Sequence, residues 1–327
     1  MQEALEEFKP DIVHLNNFQR QLSASIIEAI KEKNIPMVYT AHDVQAICPA
    51  ITMMDNDKKI CEKCMNGKYL NCVKKKCNKG SNLKSLLGAI EGYYYKTNKI
   101  YTQKIDAIIT PSEFYKKKLI QDGISKEKIY AMHNFIEIEQ YDIKISDEGY
   151  ALYLGRLSKE KGIINLIKAF EKLDNGMLYI AGDGPEKENI LEFIKQKKLE
   201  NKIKLLGFLN KGQVKDTVSK CSFIIVPSIW YENCPYSVLE TMAIGKPVIG
   251  SNMGGIPELV KNEKTGLIYN FDNIEELSEK MKLLFENREL AESYGSNAKD
   301  DAKESFSKEL YYNNIVNIYN NLIKENK

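Results

Sequence analysis

The chain has 327 residues, of which 43% are hydrophobic and 28% charged, with a formal net charge of +2. That length suits two ordinary domains with sizeable cores, and so small a net charge gives no global argument for nucleic-acid binding. No run approaches the roughly 18–20 apolar residues that a membrane-spanning helix needs. The acidic, amphipathic opening MQEALEEFKPD lacks the pattern of a secretory signal. A cytoplasmic chain that at most rests on the inner face of a membrane is expected.

Strand-like runs come first at DIVHL (11–15) and PMVYTA (36–41), then at AIIT (107–110) and KIYAM (128–132), with helical segments between them. Short apolar strands alternating with helices indicate a parallel sheet covered on both faces. A complete doubly wound half has about five or six strands. Only four are legible here, so the first βα units are expected to be absent.

From 51 to 81 the alternation breaks into a Cys- and Lys-rich insert. Its CEKCMNGKYLNCVKKKC places Cys61, Cys64, Cys72 and Cys77 together, and four thiolates suit a tetrahedral structural zinc. Only one pair has knuckle spacing, so a set of reduced structural thiols is the competing reading. An odd total of seven cysteines argues against a disulfide framework. Between Lys58 and Lys84 there are nine lysines and one acid, Glu62. Followed by LKSLLGAI, this stretch suits contact with anionic lipid or an acidic acceptor; a solvated charged loop is the plain alternative.

The second half reads more clearly. Strands are expected at YALYL (150–154), MLYIA (177–181), IKLL (203–206), FIIVP (223–227) and PVIG (247–250), in one doubly wound domain. From Ile274 onward the pattern is helical, ending in a striped helix from Phe306 to Ile323. The expected division is therefore 1–147, then 148–305, then a C-terminal helix over 306–327.

Two motifs in this half carry chemistry. In WYENCPYSVLETMAIGKPVIGSNMGGIPELV (230–260), a loop leaves the carboxyl end of a strand, where open α/β sheets bind ligands. Pro235 suits a helix start, and the free N–H groups there form an anion site. Glu232 before the helix and Glu240 within it are placed to reach hydroxyls on either side of a bound phosphate. In YLGRLSKEKG (153–162), Arg156 and Lys161 flank a loop after the neighbouring strand and suit a diphosphate. The plain readings are a loop acid, an ordinary helical glutamate and a solvated basic turn.

Together with AGDGP (181–185), LLGF (205–208), KPDIVHLNNF (9–18), YTAHDVQAICP (39–49), ITPSEFYKKKLIQDGI (109–124) and HNFIE (133–137), these motifs resemble the family-4 (group 1) retaining glycosyltransferases. The resemblance spans nearly the whole chain. It implies a GT-B fold of two Rossmann-like doubly wound domains, the N-terminal one incomplete. It also implies transfer of a sugar from a nucleotide-diphosphate-sugar to a saccharide or lipid-linked acceptor, in cell-surface polysaccharide synthesis. Arg156 and Lys161 would hold the donor diphosphate, Glu232 the transferred sugar and Glu240 the ribose, with Asn233, Cys234, Pro235, Tyr236 and Ser237 completing the donor loop. His42 would meet the sugar from the other domain. ENCPYS departs from the pattern of many members and leaves the sugar identity open.

No enzymatic nucleophile for a double displacement is evident, so the same-face, front-side mechanism that the resemblance implies is expected. Cations and the helix start can stabilise the leaving phosphate without a cofactor. His14, inside a strand, and His133, near the interdomain turn, are expected to be structural. Asp55-Asn56-Asp57 matches a metal-nucleotide D-x-D, but MDNDKK reads better as a hairpin turn. A non-catalytic nucleotide-sugar-binding remnant and a GT-B epimerase remain as alternatives.

Overall fold

Four apolar runs of the first half form one parallel sheet in the computed structural model, which describes residues 1–20 and 22–326. The elements follow as α1 (Gln2–Phe8), β1 (Val13–Asn16), α2 (Ser25–Glu32), β2 (Met37–Thr40), α3 (Leu70–Lys74), α4 (Asn82–Thr97), β3 (Ala107–Thr110), α5 (Glu113–Gln121) and β4 (Ile129–Ala131). The strands lie in the order β1-β2-β3-β4. Every residue of β2 and β3 is buried, as continuous apolar strands between helical layers require.

The insert is compact. Met54 and Ile60 pair antiparallel. Asp55, buried between them, accepts the N–H groups of Asp57 and Lys59 and an ion pair from Lys75 at 2.6 Å. The D-x-D stretch is thus a hairpin turn closed on its own first carboxylate.

The second half continues with β5 (Tyr150–Leu154), α6 (Ile163–Phe170), β6 (Met177–Ala181), α7 (Lys187–Gln196), β7 (Ile203–Gly207), α8 (Lys211–Lys220), β8 (Phe223–Val226), α9 (Tyr236–Ile244), β9 (Val248–Ser251), α10 (Ile256–Leu259), β10 (Gly266–Tyr269), α11 (Ile274–Glu286), α12 (Arg288–Ser305) and α13 (Lys308–Glu325). Six parallel strands run in the order β10-β9-β8-β5-β6-β7. The edge strand β10 was not expected from sequence. It opens on Gly266 directly after the polar, turn-like NEKT (262–265), which hides its start in the sequence. The sheet changes winding direction between β5 and β8, and the carboxyl ends of those two strands are where such a sheet opens a crevice.

The chain divides into two compact units, Met1–His133 with Glu309–Lys327 and Asn134–Lys308. This differs from the expected boundary at 147/148 and from a separate terminal helix. Ile136 and Tyr141 are buried in the core of the second unit, and the Ile136 N–H donates to the Phe306 carbonyl. Ile318 of α13 packs with Val38, Ala107 and Ile109 of the first unit. Contacts between residues so far apart in sequence leave no mark in local periodicity.

Candidate functional site

Both chemical loops of the second unit emerge at the β5/β8 switch point. After β5 the chain passes through a short 3-10 turn, Lys159–Lys161, and reverses at Gly162 into α6. Gly162 has φ +71°, and a Cβ there would lie 1.9 Å from the Pro227 carbonyl oxygen, so the turn after β5 lies directly on the end of β8. After β8 the chain runs through Trp230 and Glu232 to Pro235, the cap residue of α9. A third loop supports it. Gly254, at φ +64°, allows the turn after β9 to touch the Glu232 backbone, where a Cβ would meet the Glu232 carbonyl oxygen at 2.0 Å. The Gly255 N–H donates to that same carbonyl at 2.8 Å. The Gly-Gly turn thus brackets the acid.

The Glu232 side chain is buried, and its Oε1 accepts from Lys161 Nζ at 2.6 Å, Ser228 Oγ at 2.6 Å and Trp230 Nε1 at 2.8 Å. Burial of a carboxylate is costly unless it is paired and hydrogen-bonded, and three donors offset that cost here. Lys161 also sits 5.1 Å from the Trp230 ring centroid, a cation–π distance. Both ends of the ion pair are therefore held in place.

Lys161, Ser228 and Glu232 line a cleft of ≈ 440 Å³ together with Pro235, Tyr236, Ser237 and Glu240. No side chain caps the start of α9, whose first N–H groups and positive dipole end suit an anion. Leu209, Lys211 and Val214 also line the cleft. Glu240, a turn and more into α9, accepts from Tyr141 Oη at 2.9 Å. Burial first, and then this hydrogen bond, raise the Tyr141 pKa, so the phenol remains a donor to the carboxylate. The arrangement pairs a fixed cation and an uncapped helix end with two carboxylates.

Not every expected donor residue is among the residues that line the cleft. Arg156 is exposed and is not one of them; its carbonyl accepts from Tyr153 Oη at 2.8 Å. Cys234 is buried, its Sγ accepting the Asn134 N–H at 3.4 Å while its carbonyl accepts Asn134 Nδ2 at 3.1 Å. The thiol is thus engaged in holding the loop to residue 134. Asn233 is half-buried and does not line the cleft either. Sequence reasoning overlooked Ser228, Trp230 and Tyr141. The chain's single tryptophan, two residues before Glu232, was the available signal; Tyr141 offered none.

In the first unit, His42 follows β2 and its Nε2 lies 3.1 Å from Asn16 Oδ1. Desolvation lowers its pKa, with Asp43 opposing, which favours the neutral imidazole. His14 is held between Tyr319 Oη and Thr40 Oγ1 at 2.6 and 2.7 Å, a structural role as expected. Of the four cysteines weighed as zinc ligands or reduced structural thiols, Cys64 and Cys72 are buried and Cys61 and Cys77 half-buried. The Cys77 thiol hydrogen-bonds to Cys72 and lowers the Cys72 pKa, while burial pushes Cys64 up to about 12. Among the described residues, no group of three or more His, Cys, Asp or Glu side chains is arranged to hold a metal ion.

Comparison with known proteins places this geometry in context. Residues 135–301 match the glycosyl transferases group 1, and residues 1–140 match glycosyltransferase family 4. An uncharacterized glycosyltransferase of Methanocaldococcus jannaschii is 31% identical over 253 residues, covering 74% of this chain and 67% of that protein. The N-acetylgalactosamine-N,N'-diacetylbacillosaminyl-diphospho-undecaprenol 4-alpha-N-acetylgalactosaminyltransferase of Campylobacter jejuni is 31% identical over 209 residues, covering 61% of this chain and 56% of that protein. The chain thus spans between about half and two thirds of these relatives' length. Among solved structures, Anabaena HepE in complex with UDP aligns with a TM-score of 0.76 at 19% identity, over 98% of this chain and 80% of that one. This likeness shows the fold, a GT-B arrangement of two parallel-sheet domains.

Proposed function

Because the chain belongs to the group 1 glycosyl transferases, we propose that it moves a sugar from a nucleotide-diphosphate-sugar to a saccharide or lipid-linked acceptor, retaining the anomeric configuration, in cell-surface polysaccharide synthesis. The observation that carries this reading is the Lys161–Glu232 pair in one cleft with Glu240 and the uncapped start of α9. A nucleotide-sugar is an anion flanked by two sets of hydroxyls, and the cleft offers a cation and helix N–H groups between two carboxylates. Support for the donor class comes from Anabaena HepE, which has been solved with UDP-glucose. Support for a lipid-linked acceptor comes from the name of the Campylobacter jejuni relative.

In the proposed reaction the bond between the anomeric carbon and the diphosphate oxygen breaks. Negative charge then grows on the terminal phosphate, where Lys161 and the α9 N–H groups stand ready to stabilise it; such preorganised groups cost no reorganisation during reaction. Glu232 accepts hydrogen bonds from the departing sugar's hydroxyls, and Glu240 accepts from the ribose. An acceptor hydroxyl forms the new bond on the same face and gives its proton to the leaving phosphate oxygen. His42 is assigned to the sugar, and Arg156 to the outer diphosphate oxygens.

The test is turnover of UDP-sugars and other nucleotide-sugars by the purified chain with added saccharide and polyprenyl-diphosphate acceptors. Transfer with retained configuration supports the reading. Donor binding without transfer to any acceptor would instead favour a non-catalytic nucleotide-sugar-binding protein.

A further inference from the structure

Trp230 is the chain's single tryptophan, and the loop that carries it is pinned on both sides. The Ile229 N–H donates to the Glu160 carbonyl at 2.9 Å, and the Gly255 N–H donates to the Glu232 carbonyl at 2.8 Å. An indole is rigid, and its one N–H can only donate. Here that N–H goes to Glu232 Oε1 at 2.8 Å, while the ring centroid lies 5.1 Å from Lys161 Nζ. One half-buried side chain therefore touches both ends of the Lys161–Glu232 ion pair.

The three donors to Glu232 differ in what they can do once an anion enters the cleft. All three reach Oε1, and among the described residues none reaches Oε2. That leaves Oε2 to accept from a ligand hydroxyl. Lys161 is a compact charge with three N–H groups on a flexible stem. A diphosphate carries more negative charge than one carboxylate, so it draws Lys161 Nζ away from Oε1. Glu232 stays buried, and a buried charge that loses its partner is costly unless other donors hold it. Ser228 and Trp230 are those donors. The serine hydroxyl can rotate and can also accept, whereas the indole N–H can do neither. Trp230 is the support that stays in place.

We infer that Trp230 is the positioning residue of this cleft, holding Glu232 against the sugar when the donor diphosphate takes up Lys161. The inference rests on the donor reading above, and the experiment separates the two. UDP, GDP and ADP are titrated calorimetrically into wild type and Trp230→Phe, and transfer is measured with the corresponding nucleotide-sugars. Phenylalanine keeps a ring beside Lys161 but has no N–H. Affinity of the variant for the nucleoside diphosphate is expected to match wild type, because that ligand has no sugar for Glu232 to hold. Its kcat is expected to fall about ten- to a hundredfold, the loss of one hydrogen bond to a charged group. A mere packing defect would lower nucleotide affinity as well. Wild-type fluorescence needs no variant: saturating nucleoside diphosphate is expected to shift the tryptophan emission as the ammonium leaves the ring. Undiminished kcat in Trp230→Phe, nucleotide affinity that falls in step with kcat, or emission unchanged at saturation would each overturn the inference and leave the donor reading intact. A wild type that binds none of the three nucleotides would overturn the donor reading and this inference with it.

Discussion

Lys161 Nζ lies 2.6 Å from Glu232 Oε1, and the two side chains come from loops 71 residues apart that meet at one switch point of the sheet. Neither loop alone forms a site. Ser228 and Trp230 fix the carboxylate, Gly254 admits the supporting turn, and Glu240 lines the same cleft.

Replacing Lys161 removes the one lysine that the cleft ties to Glu232 and leaves that buried carboxylate without its cation. Lys161→Ala is expected to lower kcat by about a hundred- to a thousandfold, the range for loss of one preorganised charge-stabilising group. Arg156→Ala, at an exposed position outside the cleft lining, is expected to cost less. Steady-state transfer assays on both variants check this order, and equal losses would contradict it.

Glu240 is expected to act on the nucleoside rather than on the sugar. Charge-assisted hydrogen bonds are worth about 1.5–3 kcal/mol, so Glu240→Ala should weaken binding of the donor nucleoside diphosphate by roughly ten- to a hundredfold. Tyr141→Phe removes the 2.9 Å hydrogen bond that orients this carboxylate and should cause a smaller loss. Calorimetry with whichever nucleoside diphosphate the wild type binds, and with its 2′-deoxy form, reads both effects, and an unchanged affinity in Glu240→Ala would remove the residue from the ribose.

Gly254 tests the support beneath the acid. A Cβ at this position has to overcome both φ +64° and a 2.0 Å approach to the Glu232 carbonyl oxygen. Gly254→Ala should cost more than about 1 kcal/mol of stability and lower activity by moving Glu232. Urea denaturation at wild-type pH measures the first effect, and an unchanged midpoint would mean that the turn relaxes freely.

Acid should loosen the first unit. Burial lowers the His14 pKa from 6.5, and His42 adds to the shift. A histidine whose folded pKa lies below its unfolded value binds protons more readily when unfolded. Its contribution to stability is therefore complete above pH 6.5 and is lost as pH falls through the lowered value. The urea midpoint of the first-unit transition is expected to drop on acidification below 6.5, and less steeply in His14→Asn. Parallel profiles for the two proteins would assign the pH dependence elsewhere.

The strands were the most legible part of the fold. YALYL and MLYIA match β5 and β6 residue for residue, because a strand buried on both faces has to be apolar without interruption. Strand β10 escaped although other four-residue strands were legible, because it opens on Gly266 directly after the polar, turn-like NEKT, which hides its start. Lys161, Glu232 and Glu240, singled out from their positions after strands and at a helix start, line one cleft. Cys234 was misplaced because neighbours in a loop point in different directions, and its thiol turned to Asn134.

By itself, the sequence determined the alternation of strands and helices, the helix start after Pro235 and the loops that carry the charged groups. These follow from local spacing, where burial repeats with the period of each element. Tertiary structure alone decided that Lys161 reaches Glu232, that Tyr141 orients Glu240 from 99 residues away, and that α13 packs with the first unit. It also decided that α4 turns its glycines inward and its leucines out. Each of those outcomes depends on contacts between residues distant in the chain, and no local periodicity encodes them.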